Sequence, residues 1–299
     1  MFGKYSIGDL ERLSGIKAHT LRIWEQRYKI LNPERTGTNI RFYGNDDLKR
    51  ILNISLLNNN GFKISMIARL NDKELLREVE KFLSSFAKES DQIESLVLCL
   101  MDLNEERFET TINNSVIHFG FENTVEKVIF PFLRQMGNMW LLGIISPAQG
   151  HFISNLIRQK LIVGINNIAH LTNAASKTFL FFLPEGELHE LGLFYTHYLT
   201  KKLGHKCVYL GQSVPLEDLI AIAQNVKPDV IVGIFTAKTP DVEIHSFLKT
   251  CDEQILEPEF FLSGLLLLGQ GKNFKMPAKR FRLFEDFHAY KVLLSGAKN

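Results

Sequence analysis

Cysteine is scarce in this chain, which holds only Cys99, Cys207 and Cys251, far apart and in no CxxC pair. That excludes a disulfide framework and a thiolate zinc site, and it fits a reducing cytoplasm. Long apolar runs are missing too. The longest, around Phe260 to Leu268, is far below the ~20 residues that span a bilayer, and the N-terminus has no apolar signal core, so no membrane segment is expected. Nor is there an excess of charge of one sign: the net +2 argues neither for nor against a polyanionic partner. What remains is 299 residues, 45% hydrophobic and 23% charged, enough for two or three packed domains of an ordinary soluble protein.

Charge is nevertheless unevenly spread. From Lys17 to Arg50 there are eight basic residues against four acidic ones, a basic excess near the N-terminus. Ser6-Ile7-Gly8-Asp9 reads as a helix start with a polar N-cap, and Ile7, Leu10, Leu13 and Ile16 give that helix one apolar stripe. Ser14-Gly15 breaks it. A second helix follows from about Ala18 to Tyr28, with Leu21, Trp24 and Tyr28 on one face and His19, Arg22 and Gln26 opposite, Thr20 and Arg27 on the flank. Two short helices joined by a glycine turn have the layout of a helix-turn-helix whose second helix enters a major groove. A small helical hairpin with a solvated face would give the same pattern. The next stretch, Asn32 to Tyr43, has turn residues and an Ile/Phe alternation that suggest a small β-ribbon, from which Arg35 and Arg41 can reach phosphates. Asn45-Asp46-Asp47 then caps a helix to about Asn59.

These residues, YSIGDLERLSGIKAHTLRIWEQRY and then ERTGTNIRFYGNDDLKRI, resemble the winged helix-turn-helix of MerR-type transcription regulators. The resemblance implies binding of double-stranded DNA as a dimer or higher homo-oligomer. By position it makes Thr20, Arg22 and Arg27 recognition-helix contacts and Arg35, Arg41 and Tyr43 wing contacts, with Trp24 mainly a core aromatic. Many such regulators dimerise through one long helix after this domain. Here the stripe Leu76, Val79, Leu83 and Phe86 spans only about two heptads, so oligomerisation is expected to arise elsewhere.

The segment from 73 to 170 reads as helices with breaks near Asn104, Gly120 and Ser146-Pro147. Ser146-Pro147-Ala148-Gln149 is a helix start with serine at the N-cap, proline first in the helix and glutamine placed to close a capping box. A four-helix bundle is expected. Met136-Gly137-Asn138-Met139-Trp140, with His151 eleven residues later, gathers methionines, a tryptophan and a histidine around one loop; filling of the bundle core is the plain alternative.

From 172 to 299, apolar runs of strand length (Thr178 to Leu183, Cys207 to Leu210, Val230 to Phe235, Phe260 to Ser263, Arg280 to Leu283) alternate with helical patterns. Five such units predict a flavodoxin-like five-stranded parallel sheet, so the fold class is multidomain α and α/β: domains 1–72, 73–170 and 172–299. Ligands of such sheets sit at the carboxyl ends of the strands, where Glu185-Gly186-Glu187-Leu188-His189-Glu190-Leu191-Gly192 lies. His189 can offer an imidazole nitrogen to a metal, and Glu187 can take the proton on the other nitrogen. Gly192 leaves room beside the first helical turn. No second ligand is spaced for a zinc site, so a lone histidine suits a cofactor that brings its other ligands. A solvent-facing loop histidine is the alternative.

Glu187-x-His189-x-x-Gly192 after a helical region with Trp140 and His151 resembles the cobalamin-binding modules of light-sensing, adenosylcobalamin-dependent MerR-type regulators of the CarH kind. The resemblance implies a cobalamin, adenosylcobalamin or another form, with His189 as lower axial cobalt ligand and Trp140 and His151 lining the upper face. Thr236 and Gly264 would keep part of the slot for the nucleotide tail. The chain departs from that pattern: Gly150 stands where a glutamate is expected, Leu141 where the light-sensing members have a second histidine. Ile234-Phe235-Thr236 and Ser263-Gly264 replace a Ser-x-Leu and a Gly-Gly. The expectation is a cytoplasmic, non-enzymatic regulator in which cobalamin sets oligomeric state and promoter binding. The alternatives are an effector domain that answers to a protein partner or another small molecule, and, more remotely, a corrinoid carrier of an enzyme.

Overall fold

The computed structural model of the chain describes residues 5–35, 40–59, 61–85, 89–169, 176–237, 243–269 and 275–296. The tip of the expected ribbon, 36–39, and Phe86 of the expected stripe lie outside them. The chain divides into two compact units, Met1–Leu156 and Ile157–Asn299.

In the first unit, α1 (Ile7–Ser14) starts on a reciprocal cap: Asp9 N donates to Ser6 Oγ (3.2 Å) while Ser6 N donates to Asp9 Oδ2 (2.9 Å). Gly15, at φ +71°, ends it in the left-handed region that only glycine enters without strain. Then come α2 (Ala18–Tyr28), a two-stranded antiparallel ribbon of β1 (Glu34–Arg35) and β2 (Arg41–Phe42), and α3 (Asn45–Asn59). Leu48, Ile51, Leu52, Ile54, Leu56 and Leu57 of α3 are all buried, because this helix is packed on more than one side. It holds the α1–α2 turn through Ser55 Oγ, which donates to Ser14 O (2.7 Å), and it packs against the later helices α5 (Asp72–Ser85) and α6 (Glu89–Asp102). Between α3 and α5 lies the short α4 (Ile64–Ile67). Lys49 and Asp102 form an ion pair between α3 and α6.

Leu75, Val79 and Phe82 of α5 are buried, so Val79 of the expected stripe is in the core while Leu76 is half-buried. Phe82 meets Phe62 edge to face, ring centroids 5.9 Å apart. Beyond α6 lie α7 (Glu105–Phe119), α8 (Phe121–Thr124), a π-helical turn at Val125–Ile129, α9 (Phe130–Leu141) and α10 (Pro147–Asn166). The wide turn has a cause in sequence: Pro131 has no N–H to give to the preceding turn, and the helix reaches it by loosening to i→i+5 bonding, with Phe130 N donating to Val125 O. The expected cap of α10 is formed, Gln149 N donating to Ser146 Oγ (3.3 Å) and Ser146 N to Gln149 Oε1 (2.9 Å).

The second unit is a sheet of β3 (Thr178–Pro184), β4 (Lys206–Val214), β5 (Val230–Ile234), β6 (Glu259–Ser263) and β7 (Phe281–Leu283), all parallel, in the order β4-β3-β5-β6-β7. That is the flavodoxin-like order, with its reversal between β3 and β5. Phe179 to Leu183 are buried without alternation because helices cover both faces. Those helices are α11 (Leu191–Lys202), α12 (Leu216–Val226), α13 (Ile244–Gln254) and α15 (Phe287–Gly296), and the short α14 (Leu265–Leu268) follows β6. On one face Leu180, Phe182, Leu219, Phe247 and Phe260 form the core; each such side chain contributes about 1.5–3 kcal/mol when buried. Among the described residues no helix is long and apolar enough to cross a membrane.

Candidate functional site: a histidine loop at the sheet edge and a basic helix with its wing

The loop after β3 sits at the carboxyl edge, at the reversal of strand order. Gly186, at φ +76°, turns the chain, and Glu187 N closes the turn on Pro184 O (2.9 Å). From β4, Ser213 Oγ accepts from Gly186 N (3.1 Å) and Gln212 Nε2 donates to Leu188 O (2.8 Å). These bonds fix the backbone on both sides of Glu187. Its side chain is 1% exposed, and burial by itself would raise its pKa. Hydrogen bonds outweigh that: Oε1 accepts from His189 Nδ1 (2.6 Å) and His189 N (2.9 Å), Oε2 from the backbone N–H of Thr236 (2.8 Å) and Ala237 (2.7 Å). The carboxyl is held down at about 2, so it is an acceptor only.

The proton between the two side chains therefore resides on His189 Nδ1, which leaves Nε2 as the nitrogen with a lone pair. The imidazole side chain is 65% exposed, and the same hydrogen bond raises its pKa. Among the described residues no group of three or more His, Cys, Asp or Glu side chains could hold a metal ion. His189 thus offers one ligand, suited to a metal that carries the rest of its coordination with it.

Around this loop the structure gathers the other expected residues of the second unit. Thr236 reaches it through the Glu187 bond. Gly264, at φ +110°, lies so close to Phe235 that a Cβ there would be 2.1 Å from Phe235 O, so only glycine is tolerated. Gly192 begins α11, but the space a side chain would take is filled: an added Cβ would stand 3.2 Å from Ile234 Cδ1. Leu188 and Leu265 add exposed apolar surface nearby in sequence to His189 and Gly264. Sequence reading missed Arg158, whose Nε donates to Glu190 Oε1 (2.6 Å) and whose guanidinium lies over the Phe194 ring (5.8 Å). Both residues of the pair lie in the second unit. Trp140 and His151 belong to the first unit and are both exposed there, Trp140 at 57%. Gly150 has open space where a side chain would be, so the missing glutamate is not a steric exclusion.

In the N-terminal segment, Arg22 and Arg27 are exposed on α2, with Arg27 over the Tyr28 ring (5.3 Å), and Thr20 is half-buried beside them. Arg35 is exposed on β1. Arg41 Nε pairs with Glu25 Oε1 (3.2 Å), and Tyr43 OH donates to Glu25 Oε2 (2.8 Å). Tyr43 is fully buried and exchanges backbone bonds with Tyr5 (2.9 Å each way), and burial followed by the bond to Glu25 raises its pKa. Tyr43 was expected as a wing contact; here it braces the wing against α2. Glu25 was missed, since only the folded wing shows that one acid on α2 receives both Arg41 and Tyr43.

Comparison with known proteins adds two family matches, to the MerR HTH family regulatory protein over residues 5–74 and to the B12 binding domain over residues 92–163. The second covers the helices with Trp140 and His151 and stops short of His189. The HTH-type transcriptional repressor CarH of Myxococcus xanthus is 27% identical over 246 residues, 80% of this chain and 81% of the relative. The repressor CarA of the same organism is 27% identical over 253 residues, 81% of this chain and 80% of the relative. The structure of a Methanosarcina barkeri monomethylamine corrinoid protein shares the fold, with TM-score 0.56 and 17% identity over 70% of this chain and 100% of that one.

Proposed function

We propose that the chain, which matches the MerR HTH model at its N-terminus and the B12 binding domain model beyond it and is similar to CarH and CarA, is a DNA-binding regulator whose effector is a cobalamin. The curated relatives are transcriptional repressors, not enzymes. The observation that carries the effector half is the relay from the backbone of Thr236 and Ala237 through Glu187 to His189 Nδ1. It would present His189 Nε2 to the cobalt of a cobalamin, a metal that brings its other ligands with it.

In this reading His189 would hold the cobalt of the cofactor, Glu187 would keep its tautomer, and Thr236 and Gly264 would line the approach for the rest of it. Trp140 and His151 belong to the helices that match the B12 binding domain model. A bound cobalamin supplies a cobalt centre whose upper ligand can be exchanged or lost. A ligand that favours one homo-oligomer shifts the population toward it and so changes occupancy of double-stranded DNA, with Thr20, Arg22, Arg27, Arg35 and Arg41 at the interface, in the cytoplasm.

The test is a visible-spectrum titration of the full chain with adenosylcobalamin and hydroxocobalamin. A change in the corrin bands in the native chain, lost in His189→Ala, is the expected result; unchanged bands in both chains refute the cofactor half. A second reading has its own observation: Ile234 Cδ1 fills the space beside Gly192. In that reading the effector domain responds to a different small molecule or a protein, and the titration leaves the spectrum flat.

A further inference from the structure

We infer that Ile23 is a base-reading residue that recognises the C5-methyl group of a thymine in the major groove; the inference rests on the duplex-binding reading above. The exposed face of α2 is a single stripe, His19, Arg22, Ile23, Gln26 and Arg27, at the i, i+3, i+4, i+7, i+8 spacing of one helix side. Ile23 stands at its centre and is 54% exposed, while Leu21 is fully buried and Trp24 half-buried on the other side. About half of this residue is therefore open to solvent.

What surrounds it selects the partner. Lys17, Arg22, Arg27 and Lys29 are exposed on or beside the helix, and the one acid of the helix, Glu25, is turned to Arg41 and Tyr43. A second protein surface would call for several contiguous apolar side chains at this place, and the neighbours of Ile23 on the stripe are charged or polar. The face is thus basic with one isolated aliphatic spot. The complementary surface is a polyanion with an isolated apolar group, and on the major-groove edges of duplex DNA that group is the thymine methyl. Arg22 and Gln26, on either side, supply the hydrogen-bonding contacts that fix the register around it.

The test uses duplexes selected from a random pool by the full chain, each thymine of the selected site then replaced singly by deoxyuridine, which removes only the methyl. The native chain is expected to lose about fourfold in affinity, the worth of one buried carbon, at one thymine in each half-site. Ile23→Ala should bind the parent duplex more weakly and be indifferent to deoxyuridine at that position, while its circular dichroism melt stays unchanged because the residue is exposed. Ile23→Val should keep part of the penalty. The inference is overturned if the native chain is indifferent at every thymine, or if Ile23→Ala keeps the same penalty. A change of oligomeric state in Ile23→Ala with the methyl penalty intact would make Ile23 a contact between copies, which also overturns it. A pool that yields no bound duplex strikes the DNA-binding reading itself, and the inference falls with it.

Discussion

Glu187 occupies a place where burial alone favours a neutral carboxyl, yet four donors keep it charged, and the charge in turn fixes the tautomer of His189. Glu25 uses its charge for a different purpose, pinning Arg41 and Tyr43 of the wing to α2. Removing an acid from a DNA-facing surface ordinarily strengthens binding to a polyanion. If Glu25 positions the wing, Glu25→Gln does the reverse, weakening duplex binding on the order of tenfold and lowering the salt slope by about one phosphate contact. Gel-shift titrations at several salt concentrations decide, and tighter binding by the variant would show that Glu25 is only an unfavourable charge. The spacing of Glu187, His189 and Gly192 was legible in the sequence because all three lie on one turn. The roles of Glu25, Tyr43, Arg158 and Ile234 were not, because each depends on a contact with a residue distant in sequence.

Elements with local punctuation were legible in the sequence. Helices were expected from about Ala18 to Tyr28 and from the Asn45–Asp47 cap to about Asn59, and the caps at Ser6 and Ser146 form as their residue types predict. The Ser6 cap lends itself to measurement: Ser6→Ala should cost on the order of 1 kcal/mol of the first unit's stability in urea, the usual worth of an N-cap. An unchanged midpoint would mean that α1 is held by packing of Leu10 and Leu13 alone. Strand positions in the second unit were legible from composition, since a parallel sheet covered on both faces needs uninterrupted apolar runs. Elements decided by packing or backbone strain escaped: the π turn follows Pro131, and α14 lies hidden in the apolar run from Phe260 to Leu268, where Gly264 switches strand to helix.

The two units carry buried titratable groups with opposite responses to acid. In the first, burial, with Asp91 nearby, raises Glu94 to about 7, and its Oε2 has no hydrogen-bond partner among the described residues. A carboxyl with a folded pKa above its unfolded one binds more protons when folded, so its contribution is greatest in acid and is lost as pH rises from the unfolded value toward 7. In the second unit, burial, with Lys201 adding repulsion, lowers His197 to about 4. Its ring packs against both Phe181 (5.3 Å) and Tyr209 (5.2 Å), where a charged imidazole is poorly solvated. The unfolded chain binds that proton more readily, so stability in this unit falls as pH drops from about 6.5 toward 4. Between pH 7 and 5, hydrogen exchange corrected for intrinsic rates should therefore show protection declining in peptides of residues 176–237 relative to peptides of residues 89–156. His197→Phe keeps an aromatic ring against Phe181 and Tyr209 and removes the titration, so it should abolish the decline. A decline that persists in His197→Phe would assign the acid sensitivity to another group.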